Sequence, residues 1–306
     1  MINLNHANTF LAVIEERGFR AAARRLGLAA STVVEHIDQL EADLAASLLV
    51  RDRGNVTLTD RGQLLEPLAR ALVNTAIRCR TIVRETTIRV AAASNVGVYL
   101  LQPKLASFAA ESGVAVEPWI GSNPEVAARL QTGAADVAIM EWWDNHSGFE
   151  ATTWRKEPLV VIAPPHHPFA RRGSILPEDL LNETVLGGEA GTGTGRILRR
   201  ALGAIADRLV VRTGYGSTEA IKRAVRAGHG ISIVLAAAVE DEVASDLLAT
   251  VGISSVALEK EIAFVAPRGL QPRHPASRFA RHLLDELPPT QRSGRELATA
   301  GTEQSR

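Results

Sequence analysis

The sequence predicts an α/β protein with an all-helical N-terminal part, and three observations indicate this. Residues 1–58 show the spacing of short helices separated by tight turns, residues 59–86 hold one long helical pattern, and strands and helices alternate over residues 87–287. A chain of 306 residues is long enough for about two domains with buried cores. We predict a disordered tail over residues 288–306, which are mostly polar or small.

Composition narrows the class of protein. With 46% hydrophobic and 22% charged residues, the chain resembles ordinary globular proteins and not disordered or fibrous ones. It has no apolar run of the ~20 residues that a membrane span needs, and its first residues lack the features of a signal peptide. The single cysteine, Cys79, cannot form an internal disulfide. We therefore expect a cytoplasmic protein without a membrane partner.

Residues 1–58 predict a helix-turn-helix followed by a hairpin. The first helix closes near Gly18, a second covers Phe19–Leu26, and Gly27 can adopt the left-handed conformation that ends a helix. Near Ser31 a third helix begins, and one of its faces is apolar. Residues 48–58 then fit a two-stranded hairpin with a Gly-Asn turn, a wing that carries arginines toward a phosphate backbone.

Residues 59–86 predict a single long helix, from Asp60 to about Arg84. Apolar residues recur along it at heptad spacing, namely Leu65, Leu68, Leu72, Cys79 and Ile82. Because a helix with one apolar seam needs a partner, we expect it to pair with a second copy of the chain. The alternative, that the helix packs on its own domain, stays open at this point.

From residue 87 onward the alternation of strands and helices predicts a mostly parallel sheet with a ligand site at the carboxyl ends of its strands. The predicted strands are Ile88–Ala93, Val114–Pro118, Asp136–Met140, Leu159–Ala163, Leu209–Val211, Ile231–Val234 and Ile262–Ala266. The predicted helices are Leu101–Glu111, Pro124–Thr132, Gly195–Leu202 and Thr218–Ala227.

Two sets of residues carry a resemblance to a known family. The first runs without a gap through Leu4, Phe10, Val13, Phe19, Ala22, Ala23, Leu26, Val33, Ile37, Leu40, Glu41, Leu44, Leu48, Arg51, Leu58, Thr59 and Gly62. The second comprises Leu130, Gly133, Asp136–Ile139, His167–Ala170, Asp179, Leu180 and Val225–Ile231. In these residues the chain resembles the LysR-type transcriptional regulators.

That resemblance implies a winged helix-turn-helix, a linker helix that dimerises, and a two-lobed, periplasmic-binding-protein-like α/β domain that binds an effector. The lobes would cover residues 87–160 plus 267–287, and residues 161–266. A homodimer or homotetramer would bind double-stranded DNA at an interrupted inverted repeat near a promoter, and would affect RNA polymerase there. The effector would be a small and anionic metabolite.

Eight residues are the candidates for DNA contact: Arg20, Arg24, Ser31, Thr32, Glu35, His36, Arg51 and Arg53. The helix that should enter the major groove departs from the family pattern, because Ala30 and Val34 replace a glutamine and a serine, and Glu35 adds a carboxylate. Over residues 1–61, seven arginines stand against eight acidic residues, a local net charge of −1 that is unusual for a DNA-binding domain. The alternative is that these side chains are merely solvated helix faces.

Eight further residues are the candidates for effector contact: Ser94, Asn95, Asn123, Trp142, Thr192, Gly193, Thr194 and Arg196. The glycine-rich segment Gly191–Arg196 precedes a helix, whose N-terminus favours anions. It resembles a Gly-Ser-Gly-Thr-Arg segment in the family branch that controls carbon fixation and inorganic sulfur assimilation, and Ser122–Glu125 and Glu141 are similar to that branch as well. The family's Ser-x-Thr after the first strand keeps Ser94 but has Val96 in place of the threonine.

No enzyme, metal or cofactor is expected. The Gly191–Arg196 loop lacks the Gly-Lys-Ser/Thr of a nucleotide-binding P-loop, and no nucleophile, acid/base or zinc-ligand spacing is apparent. His166 and His167 fall in a segment that matches a structural loop of the family. The alternatives are a solute-binding protein, or a small-molecule sensor with little sequence-specific DNA binding.

Overall fold

The computed structural model describes residues 2–52, 55–82, 87–188 and 192–285. The predicted DNA contact at Arg53, the predicted hairpin turn at Gly54, the loop residue Gly191 and the predicted tail over 288–306 lie outside these ranges. Within them, no helix is long and apolar enough to cross a membrane.

The N-terminal domain is a three-helix unit with a two-stranded wing, as the sequence predicts. Its elements are α1 Leu4–Glu15, α2 Phe19–Leu26, α3 Ala30–Leu44, β1 Leu49–Asp52 and β2 Asn55–Leu58. The core forms around Phe10, Val33 and Ile37, each fully buried. Gly27 ends α2 with a φ of 67°, and the two wing strands pair antiparallel.

The linker helix, α4, covers Asp60–Ile82. Thr59 precedes it, and its Oγ1 accepts a hydrogen bond from Gly62 N at 3.0 Å. A side chain at Gly62 would place its Cβ 2.2 Å from the carbonyl oxygen of Leu48, so the close packing of α4 on the wing requires glycine there.

Two apolar faces run along α4. Leu65, Ala69 and Val73 pack on the core of the N-terminal domain, so Leu65 does not share a seam with Leu68 and Leu72. A second face remains exposed, with Leu64, Leu68 and Leu72 presenting 68%, 67% and 42% of their surface. Packing on its own domain is therefore found for one face of α4, and pairing with a second copy stays a prediction for the other.

The α/β domain has two lobes. The first contains β3 Thr87–Ala93, α5 Ser94–Tyr99, α6 Gln102–Ser112, β4 Ala115–Gly121, α7 Asn123–Gln131, β5 Val137–Met140 and α11 Pro275–Asp285. The second contains β7 Ser174–Ile175, β8 Thr184–Leu186, α8 Gly193–Leu202, β9 Val210–Arg212, α9 Thr218–Arg226, β10 Ser232–Leu235, α10 Glu240–Ala244 and β11 Ala249–Ile253. Short 3₁₀ segments at 168–171, 177–182, 203–208 and 236–238 lie between the elements of the second lobe.

Two strands run through both lobes and join them. These are β6 Phe149–Ala163 and β12 Glu259–Pro267, which pair antiparallel with each other. The parallel pairing expected from the sequence holds for β3 with β4 and β5, whereas β12 pairs antiparallel with β5, and β10 and β11 pair antiparallel with β6. The expectation of a mostly parallel sheet is therefore wrong for the strands around the crossover, because two long strands cross the lobes in opposite directions.

The path of β12 also affects the division into lobes. The family resemblance implies that residues 161–266 form the second lobe, but Ile262, Phe264 and Ala266 lie in the core of the first lobe, next to Phe279. The reason is the pairing of β12 with β5, which brings Ala263 opposite Met140.

The linker helix docks on the first lobe through polar contacts near the start of β5. Arg78 forms an ion pair with Asp136 at 3.1 Å, and Arg89 holds the other oxygen of that carboxylate at 2.8 Å. Asn74 Nδ2 donates to the carbonyl oxygen of Thr132 at 2.7 Å. The strand that begins at this joint ends, four residues later, at the wall of the cleft between the lobes.

Candidate functional site

The start of α3 presents polar side chains away from the domain core. Ser31 and Glu35 are exposed and Thr32 is half-buried, whereas Val33 and Ile37, on the opposite side of the helix, are fully buried. Glu35 Oε1 accepts from Gln39 Nε2 at 3.2 Å. These three predicted DNA-contact residues share one accessible face, the geometry that a helix needs in order to read base edges in a major groove.

His36 is placed differently from the sequence expectation. Its Nδ1 lies 2.9 Å from Thr9 Oγ1, and its ring lies 4.6 Å from that of His6, so it packs against α1. The pKa of His6 is lowered, first because burial disfavours the imidazolium and second because His36 lies nearby. His36 thus contributes to the packing of α1 on α3.

The arginines of the N-terminal domain fall into two groups. Arg20 and Arg24 on α2 are exposed, and in the described part of the chain neither has an ion-pair partner. Arg25 binds Glu15 at 2.5 Å, and Arg51 binds Asp38 at 2.7 Å with its guanidinium 4.9 Å from the ring centroid of Phe19. Because Arg25 and Arg51 are engaged within the domain, Arg20 and Arg24 are, among the predicted DNA-contact arginines that the structure describes, the two without an ion pair.

A cavity of about 510 Å³ lies between the two lobes. Four helices begin at its wall, with Ser94, Asn123, Gly193 and Thr218 as their first residues. All the predicted effector-contact residues except Arg196 line it. Arg196 is half-exposed outside the wall, where its guanidinium lies 5.2 Å from the ring centroid of Trp142 and 3.5 Å from a carboxylate oxygen of Asp144.

Several of these residues are held by local hydrogen bonds. The amide of Asn123 donates to the carbonyl oxygen of Trp142 at 3.0 Å and accepts from Glu141 N at 2.8 Å, which fixes α7 to the end of β5. Ser94 Oγ donates to the carbonyl oxygen of Gly121 at 2.8 Å. Thr192 Oγ1 accepts from Gly195 N at 3.1 Å and so caps α8.

A chain of polar contacts crosses the cleft from one lobe to the other. Thr218 Oγ1 donates to Asn95 Oδ1 at 2.7 Å, and Asn95 Nδ2 donates to Glu141 Oε1 at 3.3 Å. Lys260 Nζ donates to Glu141 Oε2 at 2.7 Å and to Thr194 Oγ1 at 3.3 Å. We call these five residues the cleft network; it connects α9 and α8 of the second lobe to α5 and β5 of the first.

Lys260 and Thr218 are not among the residues that the sequence predicts for the site. Lys260 is 1% exposed at the start of β12, and a single lysine beside an apolar strand carries no pattern that predicts an ion pair. Glu141 stood out only through the family resemblance. Its carboxylate explains Gly193, because a Cβ there would lie 2.4 Å from Glu141 Oε2.

A second set of contacts between the lobes lies at the edge of the cavity. Tyr99 OH donates to Glu219 Oε1 at 2.7 Å, and Lys222 binds Glu219 at 2.6 Å and Glu242 at 2.8 Å. Burial, followed by the hydrogen bond to Glu219, raises the pKa of Tyr99, whereas the hydrogen bond from Lys222 lowers the pKa of Glu219. Both carboxylates at the cavity wall, Glu141 and Glu219, thus have a lysine partner.

Comparison with known proteins covers both parts of the chain. Residues 4–63 match the family of bacterial regulatory helix-turn-helix proteins of the lysR type, and residues 83–288 match the LysR substrate binding domain. The described residues contain no group of three or more His, Cys, Asp or Glu placed to hold a metal ion.

Individual relatives extend over most of the chain. A putative HTH-type transcriptional regulator, PtxE of Stutzerimonas stutzeri, is 40% identical over 197 residues, which is 63% of this chain and 100% of that protein. The RuBisCO operon transcriptional regulator of Allochromatium vinosum is 27% identical over 295 residues, covering 93% and 96% of the two chains. Among solved structures, ArgP from Mycobacterium tuberculosis has the same fold, with a TM-score of 0.67 at 20% identity, covering 92% of this chain and 95% of that one.

Proposed function

Since this chain belongs to the LysR family of transcriptional regulators, we propose that a small anionic metabolite in the cleft controls how its N-terminal domain engages DNA and RNA polymerase. The chain is a DNA-binding regulator with an effector domain, and not an enzyme. The observation that carries the proposal is the cavity between the lobes, where four helices begin and where a polar network crosses from one lobe to the other.

The start of α3 is the proposed reading element. Ser31, Thr32 and Glu35 would face the base edges, and the Glu35 carboxylate would accept from a cytosine amino group. Arg20 and Arg24 would contact phosphates, with Arg51, Arg53 and His36 in weaker or indirect roles. This assignment is supported by the exposed face of α3 and by the two arginines of α2 that are not engaged in ion pairs within the described residues.

We propose that two copies of the chain pair through the exposed face of α4. Leu64, Leu68 and Leu72 form a continuous apolar strip at spacing i, i+4, i+8, and a strip of this kind is stabilised when a second helix covers it. A dimer would place two α3 helices in successive major grooves of an interrupted inverted repeat near a promoter. Two dimers would associate as a tetramer, whose arrangement affects the access of RNA polymerase.

The preference for an anion rests on charge and dipoles. The N-termini of α8 and α9 carry partial positive charge at the cavity wall, since their first N–H groups have no partner within the helix. The wall carboxylates of Glu141 and Glu219 are balanced by Lys260 and Lys222. A small ligand that closes the lobes changes the dimer arrangement only to the extent that it binds one arrangement more tightly than the other.

A gel-shift experiment tests the DNA half of the proposal. Full-length protein is titrated onto a duplex from the intergenic region upstream of its own gene and onto a shuffled duplex of equal length. We expect tighter binding of the upstream duplex. Equal binding of both duplexes would contradict sequence-specific regulation and favour a solute-binding protein or a sensor with little sequence-specific DNA binding.

The variant Thr194→Val tests the part of the proposal that concerns effector binding in the cleft. It removes the hydroxyl that accepts from Lys260 while keeping the side-chain shape, so binding of an anion such as hydrogen phosphate should weaken and DNA affinity should stay unchanged. Thr250→Val, on an exposed stretch of β11 outside the cavity, is the matched control. If both variants bind hydrogen phosphate as the unmodified protein does, the first turn of α8 does not belong to the ligand site.

A further inference from the structure

Glu141 gives the cavity a fixed carboxylate. Its side chain lies at the end of β5, lines the cavity and is only 8% exposed. Lys260 Nζ holds Oε2 at 2.7 Å, and Asn95 Nδ2 lies 3.3 Å from Oε1. Glu141 Oε2 lies against Gly193, in the space that a side-chain Cβ at position 193 would fill. The carboxylate is therefore held at one position by groups on three sides.

A ligand in this cavity meets Glu141 before it meets Lys260. The lysine is 1% exposed and lies behind the carboxylate, to which it donates. A carboxylate has about four acceptor positions, and Asn95 and Lys260 use two of them. The remaining capacity can only accept a hydrogen bond. A ligand oxygen that carries no hydrogen is repelled at this point, whereas a donor gains a charge-assisted hydrogen bond.

We infer that Glu141 selects, among small anions, those that present a hydrogen-bond donor beside the anionic group. The inference rests on the proposed function, since it refines the chemistry of the anionic effector. The ligands selected in this way share one anionic group and one donor hydrogen, as in a protonated oxyanion, a 2-hydroxy acid or an amino acid. Fully deprotonated oxyanions and simple carboxylates are excluded.

The anionic group of such a ligand has a separate place in the cavity. The first turn of α9 borders the opposite side of the site, where Ser217 caps the helix and Thr218 reaches Asn95. Glu219 in that turn forms an ion pair with Lys222 and accepts a hydrogen bond from Tyr99 OH. The donor end of the ligand would face Glu141, and the acid end would face the N-terminus of α9.

Isothermal titration calorimetry on the full-length protein tests this with two matched sets of probes. Propionate, lactate and alanine share one carbon skeleton and differ at the second carbon. Propionate has no donor there, lactate has a hydroxyl group and alanine has an ammonium group. Sulfate and hydrogen phosphate are a matching inorganic pair. We expect the donor-bearing member of at least one set to bind about tenfold or more tightly than its donor-free partner, since hydrogen bonds to a charged group reach this strength.

Glu141→Gln identifies the residue responsible. It keeps the side-chain size but removes the charge, so the ratio between donor-bearing and donor-free probes should fall to near one. Glu157→Gln is the matched control, because Glu157 is also a buried carboxylate with an arginine partner but does not line the cavity. If Glu141→Gln fails to fold, Glu141→Gln combined with Lys260→Met removes both charges together and leaves no unpaired ion.

The possible results separate the inference from the proposal on which it rests. Equal binding of propionate, lactate and alanine, together with equal binding of sulfate and hydrogen phosphate, would overturn the selection by Glu141 while an anionic effector would stand. The absence of binding by all five probes would overturn both. A preference for donor-bearing probes that persists in Glu141→Gln would assign the selection to another residue and contradict the inference.

Discussion

Arg51 and Asp38 form an ion pair on the N-terminal domain with 46% and 56% of their side chains exposed, whereas Lys260 and Glu141 form one in the cleft with 1% and 8% exposed. Both pairs have an N···O distance of 2.7 Å. The first pair is open to solvent and can rearrange, while the second is held by its surroundings. Equal contact distances therefore accompany different environments: a solvated pair on the surface and a rigid pair in the wall of the cavity.

The largest expected difference between the two regions is in stability. Lys260→Met leaves the Glu141 carboxylate buried without its cation, which should lower the free energy of unfolding by about 3 to 5 kcal/mol. Arg51→Ala, which breaks the exposed pair, should cost about 1 kcal/mol or less. Chemical denaturation followed by circular dichroism measures both. Similar losses for the two variants would show that burial does not distinguish the pairs.

The next effect concerns the exposed face of α4, where a substitution should affect assembly and not folding. Leu68→Lys places a charge on a side chain that is 67% exposed in the single chain, so the fold should persist while the dimer separates. Affinity for the upstream duplex should then fall about a hundredfold, because two linked half-site contacts become independent. Analytical ultracentrifugation and fluorescence anisotropy measure the two effects.

Leu176→Lys is the control for this variant, since Leu176 is 58% exposed in the second lobe, away from α4. It should leave the sedimentation of the protein unchanged. If the Leu68→Lys protein sediments as the unmodified chain does, the exposed face of α4 is not part of the dimer interface.

A smaller effect separates two neighbouring arginines of α2. Arg24→Ala removes a side chain without an ion-pair partner among the described residues, so DNA affinity should fall about three- to tenfold and the slope of log affinity against log salt should drop by about 1. Arg25→Ala should change DNA affinity less, because the Arg25 side chain forms an ion pair with Glu15. Equal losses would mean that ion pairs within the domain do not decide which arginines reach DNA.

The smallest effect is a dependence of stability on pH in the N-terminal domain. Because the folded state lowers the pKa of His6, mainly through burial, the unfolded chain binds a proton at a higher pH than the folded one. This contribution to stability is complete above the ordinary pKa of 6.5 and is lost as the pH falls below it. His6→Gln should therefore flatten the dependence of the melting temperature on pH below 6.5, and an unchanged dependence would contradict this role of His6.

The same contrast explains what could be predicted from the sequence. In the N-terminal domain the signals are local: Gly27 ends α2, and the apolar spacing of α3 defines both its buried face and its exposed one. The helical spacing predicts an exposed His36, but its ring contacts Thr9 and His6 on α1, and a local pattern does not reveal contacts with another helix.

In the cleft, most of the residues that the sequence predicts lie near glycine-rich or helix-starting segments, and Trp142 follows a strand end. Ser94, Thr192 and Thr194 lie at recognisable helix starts, but Lys260 joins Glu141 across a separation of 119 residues. The strand β6 was predicted only as Leu159–Ala163, because Arg155, Lys156 and Pro158 interrupt its apolar pattern, although pairing with β12 extends it to Phe149. Long-range pairing therefore determines the parts that local patterns miss.

Hydroxyl-radical footprinting of the upstream duplex shows whether a symmetric assembly of this chain reads DNA through α3. We expect two protected half-sites on one face of the duplex, with centres about 10 base pairs or a multiple of that apart and with related inverted sequences. A single protected segment, or protection that is the same on a shuffled duplex, would contradict it.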